Sequence, residues 1–203
     1  MFYDAIKNDH GFQYDPFKAI VAPRPIGWIS SLAADGTVNL APYSFFNAFA
    51  QAPHYVAFGS GISVADGMKD SLSNIEATGE FVLNLVTFNL REEMNASSRN
   101  APPDVDEFEE AGLTKEASVL VKPPRVAGVA AAMECRHFQT IPLPGDDGSV
   151  HDHMVIGRVI GIYINDDFIN DGRVDTAGMQ PISRLGYSEY AVVTEAFRMR
   201  RPD

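Results

Sequence analysis

Residues 26–44, IGWISSLAADGTVNLAPYS, carry the pattern that decides the fold of this chain. Two apolar runs, IGWISSL and TVNLAPYS, flank the turn sequence AADG. β-Branched and aromatic residues on both sides of a short turn that contains Gly are typical of a β-hairpin. The stretch therefore predicts two antiparallel strands near the start of a β-rich domain.

The rest of the chain predicts more strands, separated by a few helices. The predicted strands are HYVAFGSG, FVLNLV, the pair VAAAMECRHFQTIPLP and HDHMVIGRVIGIYIND around the turn GDDGS, and a last strand-like EAFRMRR. The predicted helices are KDSLSNIEATGE, ended by Gly79, then LREEMNASSRN, and VDEFEEAGL, ended by Gly112. Short strands with inserted helices predict a mainly β fold, a small antiparallel barrel formed as one domain over residues 1–203.

Composition and charge exclude several classes of protein. The chain has 203 residues, 45% of them hydrophobic, and a formal net charge of −11, which repels nucleic acid and anionic lipid. Charges, Gly and Pro interrupt every apolar run before the ~18 residues of a membrane helix, and the start shows no signal-peptide pattern. A single cysteine, Cys135, predicts a reducing cytoplasmic location, and its apolar surroundings favour a buried, inert thiol over a nucleophile.

Two familiar enzyme signatures are incomplete. The run GSGISV at residues 59–64 begins like a dinucleotide fingerprint, but Val64 stands where the third glycine belongs. The chain also has no G-x-S-x-G, so its serines give no sign of a hydrolase nucleophile.

The hairpin and the residues after it form the first candidate site. It combines Trp28, Ser30 and Ser31 with the run Ser44, Phe45, Phe46 and Asn47. On paired strands, Ser30 or Ser31 and Ser44 would line one apolar pocket with a few directed donors, which is typical of a cofactor site. The alternative is a barrel core whose hydroxyls and amide bond to nearby backbone.

Two further candidates are a helix start and a histidine pair. Lys69, Asp70 and Ser71 open a predicted helix, whose N-terminus favours a phosphate; the alternative is that Asp70 or Ser71 is only the N-cap. His151 and His153 lie two apart on a predicted strand and so share a face. They suggest a metal site without a clear third ligand, a histidine for proton or hydride chemistry, or exposed loop residues.

Arg184, followed by Leu185 and Gly186, is the fourth candidate. A guanidinium beside a glycine presents a rigid fork of donors to an anion or a carbonyl. A surface turn is the alternative reading of the same residues.

Taken together, these segments resemble the flavin reductase-like family, whose fold is an FMN-binding split β-barrel with Greek-key-like topology. The matching stretches run in order over nearly the whole chain: PRPIGWISSLAADGTVNLAPYSFFNAFAQAPHYVAFGSG, KDSLSNIEATGEFVLNLV, EEMNASS, VDEFEEAGL, HMVIGRVIGIYI and PISRLGY. The likeness is greatest to the longer members, which include flavoredoxin-like proteins and the reductase components of two-component monooxygenases.

The resemblance implies noncovalent FMN and a homodimer with the flavin near the subunit interface. Asn47 and Ser44 would bond the polar edge of the flavin, while Phe45 or Phe46 supports its flat face. Ser30 and Ser31 would lie near the flavin, and Lys69, Asp70 and Ser71 would hold its phosphate or ribityl chain. The remaining flavin-side residues are Asn95, Ala96 and Ser97, together with Trp28 and Arg184.

The expected activity is an NAD(P)H-dependent flavin reductase, in which NADH or NADPH is the co-substrate. A histidine before the I-G-x-V strand lies near the nicotinamide in many members, and the spacing to Gly157 favours His153 for this role. The electron acceptor would be free flavin, a partner monooxygenase or another acceptor. The alternatives are an FMN-binding electron carrier reduced by a protein partner and a non-enzymatic metal-binding barrel that uses His151 and His153.

Overall fold

The computed structural model describes residues 1–63, 67–102 and 104–202. The strands are β1 (Arg24–Pro25), β2 (Gly27–Leu32), β3 (Val38–Tyr43), β4 (Phe46–Gln51), β5 (His54–Ser63), β6 (Gly67–Met68), β7 (Glu80–Leu85), β8 (Lys115–Glu116), β9 (Arg125–Val126), β10 (Ala131–Pro144), β11 (Val150–Ile164), β12 (Ile169–Asn170), β13 (Arg173–Val174), β14 (Ile182–Arg184) and β15 (Tyr190–Val192). The α-helices are α1 (Phe17–Ile20), α2 (Asp70–Thr78), α3 (Arg91–Ala96), α4 (Glu107–Glu110) and α5 (Thr176–Met179). Two 3₁₀ turns cover Phe88–Leu90 and Asp166–Phe168.

One large antiparallel sheet organises the fold. Its strands follow the order β3-β2-β7-β10-β11-β5-β4, and β6 pairs with β5 at one side. The predicted hairpin is confirmed, because β2 and β3 pair from Gly27 opposite Tyr43 to Leu32 opposite Val38. A smaller sheet, β1-β14-β15, places the end of the chain beside the start of the hairpin. The architecture is mainly β with inserted helices, as the sequence predicts.

Strand β2 lies between two hydrophobic cores. Trp28 and Ile29 are both fully buried, and as neighbours on one strand they point to opposite faces of the sheet. The core on the Trp28 side includes Leu40, Val82, Val86, Phe108 and Val126. The core on the Ile29 side includes Phe58, Leu72, Ile75, Phe81 and Val155. Each fully buried apolar side chain of this size contributes about 1.5–3 kcal/mol, so the hairpin is held firmly on both faces.

Helix α2 covers the second core and ends as predicted. Leu72 and Ile75 are fully buried, one turn apart on its inner face. Gly79 follows at φ 74°, in the left-handed region, and its N–H donates to the Ile75 carbonyl at 2.8 Å. The packing of this face fixes the N-terminus of the helix beside strand β3.

The structure corrects the prediction for the end of the chain and adds a strand. EAFRMRR is not a strand, because β15 ends at Val192 and residues 195–201 pair with no described strand. Strand β4, which was not predicted, pairs with β5 at the edge of the sheet. The prediction for Val64 lies outside the described residues. Cys135 is buried as predicted, and burial raises the pKa of its thiol, which disfavours a nucleophilic thiolate.

Helices long and apolar enough to cross a lipid bilayer are absent from the described residues.

Candidate functional site

Three adjoining cavities lie along β3, α3 and β14. The helix cavity, of about 570 Å³, is lined by residues that include Asn39, Tyr43, Lys69, Asp70, Ser97 and Glu107. The tail cavity, of about 720 Å³, is lined by residues that include Arg91, Asn95, Ser98, Arg184 and Tyr190. The basic pocket, of about 180 Å³, is lined by residues that include Lys18, Arg24, Ser44, Arg184, Tyr187 and Tyr190. The basic pocket shares Pro42 with the helix cavity, and Arg184 and Tyr190 with the tail cavity.

The N-terminus of α2 opens at the helix cavity. Lys69 is the N-cap residue and is exposed, and it makes no ion pair with any described residue. The N–H groups of Leu72 and Ser73 donate to its carbonyl at 3.0 and 3.1 Å. A helix N-terminus carries a partial positive charge, to which Lys69 adds a full one. Two of the three residues predicted to bind phosphate, Lys69 and Asp70, therefore line one cavity.

The third residue of that predicted group, Ser71, faces the interior instead. It is fully buried, and its hydroxyl donates to Asn39 Oδ1 at 3.3 Å. Its partner Asn39 lines the helix cavity, so Ser71 lies one residue behind the cavity wall.

A buried tyrosine adds an unsatisfied polar group to the helix cavity. Tyr43 lines the cavity and is 8% exposed, and its hydroxyl lies near those of Ser71 and Ser60 but has hydrogen-bond geometry with no described residue. Burial raises the pKa of Tyr43, and the nearby Ser71 and Ser60 hydroxyls oppose this shift. Leaving such a hydroxyl unpaired costs about 1–3 kcal/mol. A polar ligand in this cavity is a candidate partner for it.

Glu107 brings a buried carboxyl to the same cavity. Its Oε2 accepts a hydrogen bond from the Leu40 N–H at 2.9 Å. Burial raises the pKa of Glu107, and the hydrogen bond from Leu40 opposes the shift. The carboxyl therefore ties helix α4 to strand β3 at the cavity wall.

The hydroxyl and indole groups of β2 are all bonded to other parts of the chain. Trp28 Nε1 donates to Ser97 Oγ at 2.9 Å, and Ser30 Oγ donates to the Pro124 carbonyl at 2.5 Å. Asn74 Nδ2 donates to Ser31 Oγ at 3.3 Å. Because all three β2 residues are fully buried, the structure does not bring Ser30 or Ser31 into a common pocket with Ser44.

The run after β3 turns its two aromatic rings onto glycines of neighbouring strands. A Cβ on Gly59 would meet Phe45 at 3.1 Å, and a Cβ on Gly27 would meet Phe46 at 3.0 Å. Phe45 is 45% exposed, with Lys18 and Arg24 at 5.9 and 5.7 Å from its ring centre. Its ring is therefore held against the sheet and remains partly exposed, near two residues that line the basic pocket.

Asn47 lies at the exposed edge of the sheet. Its Oδ1 accepts from the Ala48 N–H at 2.8 Å, so the amide oxygen is bonded locally. The exposed Nδ2 group donates no hydrogen bond to a described residue, so it is available as a donor.

The predicted residues of α3 fall on different sides of that helix. Asn95 is exposed and lines the tail cavity, while Ser97 is buried and lines the helix cavity. Ser97 Oγ donates to the Met94 carbonyl at 2.9 Å in addition to accepting from Trp28. Ala96 is exposed and lines none of the three cavities.

His153 lies apart from these cavities, on β11. It pairs with Ser60 of β5 and Pro142 of β10, and its Nδ1 is buried without a hydrogen-bond partner among the described residues. His151 is exposed, with Nε2 at 2.8 Å from Ser149 Oγ. No group of three or more His, Cys, Asp or Glu side chains in the described ranges is arranged to hold a metal ion.

Arg184 lies next to Lys18 and Arg24, two basic residues that are far from it in the sequence. Its guanidinium donates to Tyr190 Oη and to the Tyr187 carbonyl, and it lines both the tail cavity and the basic pocket. Lys18 and Arg24 were missed as site residues. Arg24 lies between two prolines just before the hairpin, and this position could have indicated a site residue. Nothing in the sequence around Lys18 indicates such a role.

Comparison with known proteins identifies the family. The sequence profile of the flavin reductase like domain matches residues 21–180. Nitrilotriacetate monooxygenase component B from Bacillus cereus is 30% identical, with a TM-score of 0.90 over 98% of each chain. The 2-nitrobenzoate 2-nitroreductase of Pseudomonas fluorescens is 27% identical, with a TM-score of 0.85 over 100% of this chain and 96% of that one.

A more distant likeness concerns the fold alone. A split-barrel-domain protein from Shewanella frigidimarina is 18% identical, with a TM-score of 0.81 over 100% of both chains. The matched profile covers most of the chain, and the structural likeness spans all of it. The chain therefore belongs to the flavin reductase-like family and has the split-barrel fold.

Proposed function

We propose that this protein is an FMN-binding NAD(P)H:flavin oxidoreductase, which passes hydride from NADH or NADPH to FMN. One observation carries the proposal. The helix cavity brings Lys69, at the N-terminus of a nine-residue helix, together with the unpartnered buried hydroxyl of Tyr43. An anion-binding helix end and a buried polar group without a partner suit the phosphate and the ribityl hydroxyls of FMN.

The chain's residues divide the work of holding the cofactor. Lys69 and the start of α2 hold the phosphate, with Asp70 and Tyr43 beside the ribityl chain. Phe45, Phe46, Asn47 and Asn95 surround the ring, and Ser44 and Arg184 lie beside it in the lining of the basic pocket. Trp28, Ser30, Ser31, Ser71 and Ser97 are bonded to other parts of the chain, which supports a role in positioning the cavity walls.

When bound, FMN supplies the redox chemistry, taking hydride from a nicotinamide and delivering electrons to an acceptor. The described residues include no arrangement that calls for a protein nucleophile. Its residues hold two ligands side by side and shield them from water, and holding reacting atoms at ~3–3.5 Å accounts for much of the acceleration in such reactions. His153 is proposed for orienting the nicotinamide or relaying a proton on the family resemblance alone, because it lines none of the three cavities.

Anaerobic reduction tests the proposal. Purified protein is titrated with FMN, and the loaded protein is mixed with NADH or NADPH in the absence of oxygen. We expect saturable FMN binding and rapid bleaching of the flavin colour by at least one nicotinamide. Absence of FMN binding would remove the proposal entirely. FMN binding without bleaching would favour the alternative of an electron carrier reduced by a protein partner.

Two electron acceptors are consistent with the proposed function. The Bacillus cereus protein is component B of a nitrilotriacetate monooxygenase, which supports a partner monooxygenase as acceptor for this chain as well. Free FMN is the simpler acceptor. The steady-state rate of NAD(P)H oxidation is measured with excess free flavin and again with less flavin than protein. The comparison tests whether reduced flavin is released.

We also propose a homodimer. Strand β4 ends the large sheet, and its residues from Asn47 to Gln51 are exposed, with Phe49 at 67%. Exposed apolar edge strands favour pairing with another chain, and a second copy of this chain would cover the edge next to Phe45. Light scattering on the wild type and on Phe49→Lys tests this: we expect a dimer that the charge weakens. A monomeric wild type would contradict it.

The single domain over residues 1–203 and a cytoplasmic location complete the proposal, both carried over from the sequence.

A further inference from the structure

The basic pocket concentrates positive charge in an acidic protein. Lys18, Arg24 and Arg184 line it together, and no acidic residue lines it within the described chain. The chain as a whole has 27 acidic and 16 basic residues, so three basic side chains around one small cavity depart from the general balance. None of the three forms an ion pair with a described carboxylate.

Arg24 is held in place without being neutralised. It is 6% exposed, and its guanidinium donates to the carbonyls of Lys18, Val21 and Leu185, the last at 2.7 Å. These acceptors fix the guanidinium but carry no net charge, and Nε has no partner among the described residues. Burial, and then the charge of Arg184, lower the pKa of Arg24. A buried cation next to another cation is costly unless an anion joins them.

The size of the pocket limits what enters it. Sites for drug-sized ligands measure ~300–1,000 Å³, whereas this pocket measures about 180 Å³. It therefore takes one small group and not a ring system. Three cations balance a phosphate monoester, which carries about −1.5 to −2 at neutral pH, or the two charges of a pyrophosphate, better than a carboxylate with a single charge.

The position of the pocket separates it from the proposed phosphate site of FMN. Lys69 lines the helix cavity and not the basic pocket. The basic pocket shares only Pro42 with the helix cavity among the described residues, whereas it shares Met94, Arg184 and Tyr190 with the tail cavity. A basic pocket beside a second cavity suits the phosphate of a second nucleotide.

We propose that the basic pocket binds a phosphate group of the nicotinamide co-substrate, separately from the phosphate of FMN. This assignment rests on the proposed function, since it presumes that a nicotinamide nucleotide is the reductant. Arg184 and Lys18 supply donors at the rim, and Arg24 supplies the buried charge behind them.

Charge-removing variants test the assignment in FMN-loaded protein. Lys18→Gln and Arg184→Gln are compared with Lys122→Gln and Arg173→Gln, which remove exposed charges outside the three cavities. Anaerobic stopped-flow gives the apparent Kd for NADH and NADPH. We expect Kd to rise about tenfold in each pocket variant, since a charged hydrogen bond contributes about that much, and to stay unchanged in the controls.

The two nucleotides distinguish the source of the phosphate. A larger rise for NADPH than for NADH assigns the pocket to the 2′-phosphate, and equal rises assign it to the pyrophosphate. Unchanged Kd values in both pocket variants would overturn the proposal. The proposal would also be overturned if the pocket variants lost affinity for FMN but not for riboflavin or the nicotinamide nucleotides. The pocket would then hold the phosphate of FMN.

Failure of the proposed function has a different signature. If the wild type takes up no FMN, the same variants are titrated with pyrophosphate by calorimetry. Binding that is weakened about tenfold in Lys18→Gln and Arg184→Gln supports an anion pocket independent of flavin. Absence of pyrophosphate binding to the wild type would overturn the pocket as well.

Discussion

Two groups of polar side chains from the same stretch of the sequence, residues 24–43, differ in whether their hydrogen bonds are completed within the chain. On the hairpin side, Trp28, Ser30 and Ser31 are fully buried, and each is bonded to another part of the chain. On the cavity side, the Tyr43 hydroxyl and Arg24 Nε are buried without a partner among the described residues. The first group is closed, whereas the second leaves bonding capacity for a ligand.

This difference separates structural polar residues from binding ones. A closed residue, whose hydrogen bonds are all made within the chain, stabilises the cavity walls. Its replacement therefore lowers the free energy of unfolding first. An open residue acts through the ligand, and its loss changes affinity with little effect on folding. Variants on each side therefore test the comparison directly.

The largest effect is expected on the closed side, from Asn84→Ala. Asn84 is fully buried, its Nδ2 donates to the Trp28 carbonyl at 3.0 Å, and its Oδ1 accepts from the Val126 N–H at 2.9 Å. Alanine leaves both backbone groups unpaired, so we expect the free energy of unfolding to fall by about 3 kcal/mol. Urea unfolding measures it. A loss no greater than that of the exposed Asn170→Ala would contradict a closed network.

The next effect lies on the open side, from Lys69→Gln. Removing the charge at the start of α2 should weaken FMN binding by about 1.5–3 kcal/mol, roughly 10- to 150-fold, and leave riboflavin binding nearly unchanged. Fluorescence titration with both flavins measures this, with Lys122→Gln as the control. Lys69 is exposed and makes no ion pair with a described residue, so the melting temperature of the Lys69→Gln variant should match that of the wild type. Equal losses for both flavins would remove the phosphate role.

Local patterns predicted most of the fold. The alternation around AADG determines the hairpin, and Gly79, which reaches φ 74° without strain, determines the end of α2. Strand β4 was missed because only backbone pairing with β5 makes it a strand: its exposed residues show no alternation of buried and exposed positions. EAFRMRR fails for the opposite reason, since strand propensity without a partner strand forms no sheet.

The candidate site was predictable only in part. Sequence position brought Lys69 and Asp70 together, because they are neighbours on one helix start. It did not distinguish Ser44, which lines the basic pocket, from Ser30, whose hydroxyl donates to the Pro124 carbonyl 94 residues away. Lys18 and Arg24 meet Arg184 only through pairing of β1 with β14 and packing of the segment before them, which no local pattern specifies.

A smaller effect sharpens the boundary between open and closed at Asn47. Its Oδ1 is bonded to the Ala48 N–H, while Nδ2 is the proposed donor to the flavin edge. Asn47→Asp keeps an acceptor for Ala48 but has no N–H, and Asn47→Ala loses both. We expect both variants to weaken FMN binding by about 1 kcal/mol, roughly fivefold, in titration. If only Asn47→Ala weakens binding, the amide is a local backbone cap.

The smallest effect tests whether Glu107 belongs to the closed side. Burial raises the pKa of Glu107 above its usual 4.5, so the folded state keeps this proton over a pH range in which the unfolded chain has lost it. The stability contributed by the group is therefore present below 4.5 and declines as pH rises through the folded pKa. Glu107→Gln keeps an acceptor for the Leu40 N–H and has no ionisation, so it lacks this decline. In urea unfolding across pH, the variant should gain on the wild type above 4.5, whereas the exposed Glu195→Gln should run parallel to it. If the stability of both variants runs parallel to that of the wild type across pH, water or a bound ligand already reaches the Glu107 carboxyl. Glu107 would then belong to the open group.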